Sequence, residues 1–206
     1  MDYAYWNEYY KNSSSPDKPS PFALDVLPFL EEQKSLIELG CGNGRDSLFF
    51  SKNNIRVVAV DQADVAISHL QTYANEFLTA VRDDFICSKE LRENHFDYVY
   101  SRFTLHSISE PEENALLNNV YATLKIGGKL FIEARSVKDS LFGLGTLHDR
   151  NTYRFNDHSR RFIVLEELTE KLIDTGFTID HVVESNNLAV YKEDDPVVIR
   201  VIAIKK

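Results

Sequence analysis

Residues 36–47, LIELGCGNGRDS, constrain this chain more than any other stretch. An apolar run, SLIEL (35–39), carries Glu38 and gives way to glycines alternating at Gly40, Gly42 and Gly44. Glycine takes up positive φ at little steric cost and lets backbone approach a ligand closely. Here that freedom sits between an apolar strand and RDSLFFSKN (45–53), which suits a helix. A strand, a glycine turn and a helix N-terminus form the corner where open α/β sheets hold nucleotides.

The same alternation runs down the chain. IRVVAV (55–60) is β-branched and ends at Asp61, and residues 65–78 carry apolar side chains at helical spacing. A short strand over 78–83, the strand FDYVYSR (96–102) and a helix over 111–125 follow. Pro111 and the acids beside it suit that helix's first turn. KLFIEARS (129–136) reads as a strand and residues 166–176 as a helix closed by Gly176. The tail holds two strands, 177–184 and 197–205, with no helix between them. Alternating strands and helices predict an α/β fold, a doubly wound, largely parallel sheet with helices on both faces. The helix-free tail predicts an antiparallel hairpin at one edge. Residues 137–163 stand apart as a long polar, basic loop, a length usually reserved for lids or disorder.

A chain of 206 residues is enough for one domain and hardly for two. Its net charge of −9 argues against a broad nucleic-acid surface. No stretch approaches the roughly 20 apolar residues of a membrane span, and MDYAYWNEYY lacks the form of a secretory signal. Cys41 and Cys87 give neither a disulfide framework nor a metal cluster, so a cytoplasmic setting without metal is the simplest expectation.

A dinucleotide fingerprint, G-x-G-x-x-G counted from Gly40, would need its third glycine at Arg45. The observed E-x-G-x-G-x-G instead resembles the first motif of class I S-adenosylmethionine (SAM)-dependent methyltransferases. FDYVYSRFTLHSI resembles their fourth motif, LKIGGKLFIEARS their fifth, and the two-strand tail their reversed last strand. The start, YWNEYY followed by PSPFA, is similar to the N-terminal cover of small bacterial members, including tellurite/thiopurine-like enzymes and those that modify surface polysaccharides. Length gives one domain over 1–206, the resemblance implies a seven-stranded, Rossmann-like sheet and a cover over 1–22, and the long polar loop over 137–163 is expected to be a substrate lid. It implies SAM as cofactor and S-adenosylhomocysteine as product. On it, the cofactor would meet Glu38, Gly40, Cys41, Gly42, Gly44, Asp61, Gln62, Asp84, Phe85 and Ser101. Asp61 would take the ribose hydroxyls. Asp84, with Asp83 as the competing choice, would take the adenine amino group, and Phe85 would cover the ring. Tyr9, Tyr10 and Phe22 would either close over the cofactor or staple the N-terminus to the core.

The acceptor should lie beyond the fourth and fifth strands, where arginine stands out. Arg102 and Arg135 end those strands, Arg200 lies in the last one, and the lid adds Arg154, His158, Arg160 and Arg161. Guanidinium forks match phosphate and carboxylate. These arginines read either as an anion pocket or as partners of Glu133, Asp149 and Asp157. His106 reads as a proton acceptor or as an orienting group, with His158 as second candidate and Arg102 beside them as a catalytic cation. The expected reaction is methyl transfer to a small molecule or glycan end bearing an anion. Rival readings are a protein or peptide methyltransferase and a non-catalytic scaffold of the same fold.

Overall fold

The sheet owes its form to strands that are apolar on both sides. In a computed structural model, which describes residues 3–12, 18–155 and 158–206, β1 (Ser35–Leu39) buries Leu36 in one apolar layer and Ile37 in the other. Each such side chain contributes about 1.5–3 kcal/mol. A strand buried on both faces belongs at the centre of a covered parallel sheet. β1 accordingly lies between β2 (Arg56–Asp61) and β4 (Phe96–Arg102), with β3 (Leu78–Arg82) beyond β2 and β5 (Leu124–Arg135) beyond β4. The tail supplies β9 (Phe177–Ser185) and β10 (Val198–Lys205). The seven-stranded order is β3-β2-β1-β4-β5-β10-β9, and β10 runs antiparallel to both of its neighbours. The predicted reversed last strand and edge hairpin are present.

Helices cover both faces. α2 (Pro21–Val26), α3 (Arg45–Lys52) and α4 (Asp64–Gln71) bury Phe22, Phe50 and Leu70 on one. α6 (Glu110–Thr123) and α7 (Leu165–Thr175) bury Leu116, Leu117 and Leu172 on the other, beside the short α5 (Lys89–Glu93). α6 begins at a capping box in which Ser109 and Glu112 each satisfy the other's backbone N–H. α4 stops well short of the helix predicted over 65–78. Thr72 Oγ1 donates to His69 O at 2.7 Å, and Asn75 Oδ1 accepts from Phe77 N at 2.7 Å. These local bonds turn the chain back into β3.

Two segments depart further from expectation. The aromatic start is the helix α1 (Tyr3–Asn12), and Pro16 and its neighbours over 13–17 lie outside the described residues. The predicted lid loop carries a three-stranded antiparallel sheet of β6 (Thr146–Asp149), β7 (Thr152–Phe155) and β8 (His158–Arg161). Its polar side chains hid the strand pattern because every residue of β6 faces water.

Candidate functional site

The C-terminal ends of β1, β2, β4 and β5 open into one cleft of about 590 Å³. Its floor is the glycine loop. Gly42 has φ +53°, and a Cβ there would lie 2.5 Å from Tyr10 Oη. Gly42 N donates to Asp61 Oδ2 at 2.8 Å, and Ala63 N to Asp61 Oδ1 at 2.9 Å. One carboxylate thus clasps the loop to the end of β2. Burial raises the Asp61 pKa, and its bonds from Ala63, Gly42 and Gln62 oppose the rise. Glu38 is also buried in the cleft wall and accepts from Ser47 Oγ. Burial and the nearby Asp46 push its carboxyl up to about 8. Gly40, Cys41 and Phe85 line the cleft as well.

Other expected cofactor residues stand behind this wall. Ser101 Oγ is bonded to Thr104 Oγ1, and it is Thr104 that reaches the cleft. Gly44 is backed by Leu70, 2.3 Å from where its Cβ would be. Gln62 is half-buried outside the lining. Asp84 Oδ1 accepts from Ile86 N at 2.9 Å, while Asp83 binds Ser88 Oγ and Lys89 N. Both acids are thereby used in the turn after β3. Phe22 takes the staple position of its two readings: it is 2% exposed, outside the cleft lining, and stacks on Tyr100 at 5.1 Å. Tyr9 and Tyr10 of α1 do line the cleft, together with Tyr5 and Trp6.

The seven cationic or histidine candidates for the acceptor separate clearly. Arg102, Arg135 and Arg160 line the cleft. Arg102 Nε lies 2.8 Å from Glu133 Oε1, and its guanidinium covers the Phe103 ring at 4.5 Å. Arg200 does not reach the cleft. It donates to the other Glu133 oxygen at 2.7 Å, to Asp25 at 2.6 Å and to Leu188 O at 2.6 Å. Arg161 is likewise structural: it donates to Ile108 O at 2.8 Å, to Leu105 O at 3.2 Å and to Glu113. Arg154 is exposed on β7, away from the lining. Asp157 lies outside the described residues. His158 is buried and stacks on Tyr5 at 4.4 Å, behind the wall rather than in it. Of the expected acceptor arginines, the ends of β4 and β5 and one residue of β8 therefore meet.

His106 sits in a 3₁₀ turn, Leu105–Ser107, and lines the cleft. Its Nδ1 is buried and has no hydrogen-bond partner among the described residues. Burial, followed by the charges of Arg160, His158, Arg135 and Arg161, lowers its pKa well below the usual value. Both causes favour the neutral imidazole.

Several cleft features were not foreseen. Phe103, just after β4, holds φ +54°, an unusual strain for a bulky side chain. It donates its N–H to Glu133 O at 2.8 Å and supports Arg102 and Arg135 above its ring. Asp46 accepts from Ser20 and from Tyr100 Oη at the start of α3. Tyr191, Lys192 and Asp194, on the loop before β10, form a further wall. The loop carries no motif, so only the tertiary fold reveals it. Among the described residues no group of His, Cys, Asp and Glu is arranged to hold a metal.

A methyltransferase-domain family model matches residues 13–182. A carboxy-S-adenosyl-L-methionine synthase of Pseudoalteromonas translucida is 29% identical over 115 residues, 52% of this chain and 47% of that protein. Phosphoethanolamine N-methyltransferase 3 of Arabidopsis thaliana is 32% identical over 112 residues, 53% of this chain and 22% of that protein. The chain thus matches about half of the first relative's length or less. Among solved structures, a SAM-dependent methyltransferase of Methanosarcina mazei has a TM-score of 0.76 at 19% identity, covering 88% of this chain and 96% of the other. A TehB-like methyltransferase of Corynebacterium glutamicum has a TM-score of 0.66 at 18% identity, covering 98% and 95%. These structural likenesses speak for the fold.

Proposed function

The chain belongs to the methyltransferase-domain family, and from that premise we propose that it moves a methyl group from SAM to a small-molecule or glycan-end acceptor bearing an anion. The observation that carries the reading is one cleft joining a carboxylate-clasped glycine loop to Arg102, Arg135 and Arg160. The residues fit the cofactor. Both Asp61 oxygens take backbone N–H groups, from Gly42 on one and Ala63 on the other with Gln62 beside them, and the carboxylate keeps acceptor capacity for ribose hydroxyls. Phe85 offers an apolar ring, and the bare Cα of Gly42 admits close approach. Glu38, buried beside the loop, suits an ammonium group.

When bound, SAM supplies an electrophilic methyl on a sulfonium, and the protein's work is position and desolvation. α1 lays Tyr5, Trp6, Tyr9 and Tyr10 along the cleft and keeps water out. Arg135 and Arg160 hold the acceptor's anion, and Arg102, tied to Glu133, fixes the edge between β4 and β5. His106, neutral and partnerless at Nδ1, orients the acceptor by hydrogen bonding. A cytoplasmic setting fits the free thiols of Cys41 and Cys87.

Radiolabelled SAM offered with phosphorylated sugars and nucleotide sugars tests the acceptor class. Label entering one of these supports the reading. Label entering only protein or uncharged acceptors overturns it. Calorimetry tests the cofactor: S-adenosylhomocysteine should bind and NAD should not.

A further inference from the structure

Arg135 has two carboxylate partners of different character. Asp139, four residues on, is buried, and Nη1 of Arg135 donates to its Oδ2 at 2.9 Å. Asp194 binds the other end of the guanidinium, Nη2, and its side chain is 47% exposed. Asp194 sits in a tight turn closed by paired backbone bonds with Tyr191, at 2.9 and 3.0 Å. The first partner is built into the fold, whereas the second has solvent into which it can withdraw.

Arg160, in the same cleft, has no carboxylate partner among the described residues, and its Nε is buried without a hydrogen bond. Burial and the Arg135 charge push its pKa below the ordinary value. Arg45 and Arg102, which also line the cleft, are paired with Asp46 and Glu133, whereas beyond the buried Asp139 a single exposed carboxylate among the described residues, Asp194, stands beside Arg135 and Arg160. A half-buried cation that lacks a partner carries an unsatisfied cost, which an oxyanion would relieve.

We propose that Arg135 and Arg160 form the seat for the acceptor's oxyanion and that Asp194 occupies that seat until the acceptor displaces it. This rests on the reading of the cleft as the site of an anionic acceptor. It makes Asp194 a specificity-determining residue: anions able to outcompete a tethered carboxylate enter, and weaker ones do not.

Trp6 is the only tryptophan of the chain and lines this cleft, so its fluorescence reports binding directly. Inorganic phosphate is titrated into the full chain with S-adenosylhomocysteine present, using wild type, Asp194→Asn and Arg160→Met. Acetate forms a second arm, and Asp194→Ser repeats the first variant without an amide. We expect phosphate to bind about tenfold more tightly to both Asp194 variants and about tenfold more weakly to Arg160→Met. Affinity for S-adenosylhomocysteine should stay within about twofold throughout. Tightening with acetate alone would keep the seat and identify its ligand as a carboxylate. Unchanged affinity for both anions in the Asp194 variants, wild-type affinity in Arg160→Met, or no anion binding at all would overturn the proposal. S-adenosylhomocysteine failing to bind wild type would instead remove the underlying reading of the cleft.

Discussion

At Gly42 the backbone conformation and the available space act together. A Val side chain there would place Cβ 2.5 Å from Tyr10 Oη at φ +53°, a region that β-branched residues avoid at about 1–3 kcal/mol. Gly42→Val should therefore abolish S-adenosylhomocysteine binding in calorimetry and lower the melting temperature. Asp61→Ala should weaken that binding by about 1–3 kcal/mol, since the loop's backbone donors and the ligand's hydroxyls lose their shared acceptor. Undiminished affinity in either variant would count against the cofactor site. Both residues were legible because glycine spacing and an acid closing a strand are local signals. The arginines were only half legible. Chain position assigned Arg200 to the right strand and offered Glu133 as a partner, and register is what chooses the pairing by setting the two opposite one another across β10 and β5. Opposite charges so placed pair with one another, and Asp25 of α2 completes the pairing from a distance no motif encodes.

Among elements, β8 governs the other half of the cleft. Arg161 ties it to the 3₁₀ turn carrying His106 by donating to two carbonyls and to Glu113, whose side chain is 1% exposed. Among the described residues, Arg161→Met would leave that carboxylate with only Lys171, 3.4 Å away. A buried pair broken on one side costs about 3–5 kcal/mol, and Lys171 will offset part of this. Urea unfolding should report a large loss, and a loss below about 1 kcal/mol would mean the tie is slack. The same tie sets how 137–163 should respond to protease. Cleavage is expected first around the fully exposed β6, while the bond between Arg160 and Arg161 in β8 stays protected. Early cleavage within β8 would refute the ordered meander. Composition alone marked this segment as special. It could not reveal three strands, because they dock through scattered contacts, Arg161 on Glu113, His158 on Tyr5 and Tyr153 on Phe142, rather than through an alternating apolar face.

For the whole molecule, two buried groups set opposite pH limits on stability. Burial and Asp46 raise Glu38 to about 8 from 4.5, so the native state holds a proton that the unfolded chain has released across that window. Stability from this group falls as pH rises from 4.5 to 8. His106 acts in the reverse sense. Its native pKa is lowered by burial and then by Arg160, so below 6.5 the unfolded imidazole binds a proton that the native one refuses, and stability falls as pH drops. The two slopes oppose one another between 4.5 and 6.5, and the Glu38 slope continues from 6.5 to 8. Unfolding midpoints in urea should therefore decline from pH 6.5 to 8 in wild type. Glu38→Gln, which keeps an oxygen for Ser47 to donate to, should flatten this limb. His106→Gln should extend the decline down towards pH 4.5, and profiles parallel to wild type in both variants would exclude these groups as its source. The same proton bears on binding. SAM is a cation, and a positive group beside Glu38 favours the ionised carboxylate. SAM affinity should accordingly rise from pH 6.5 to 8 with release of a proton, seen by calorimetry in buffers of different ionisation heat, and both effects should vanish in Glu38→Gln.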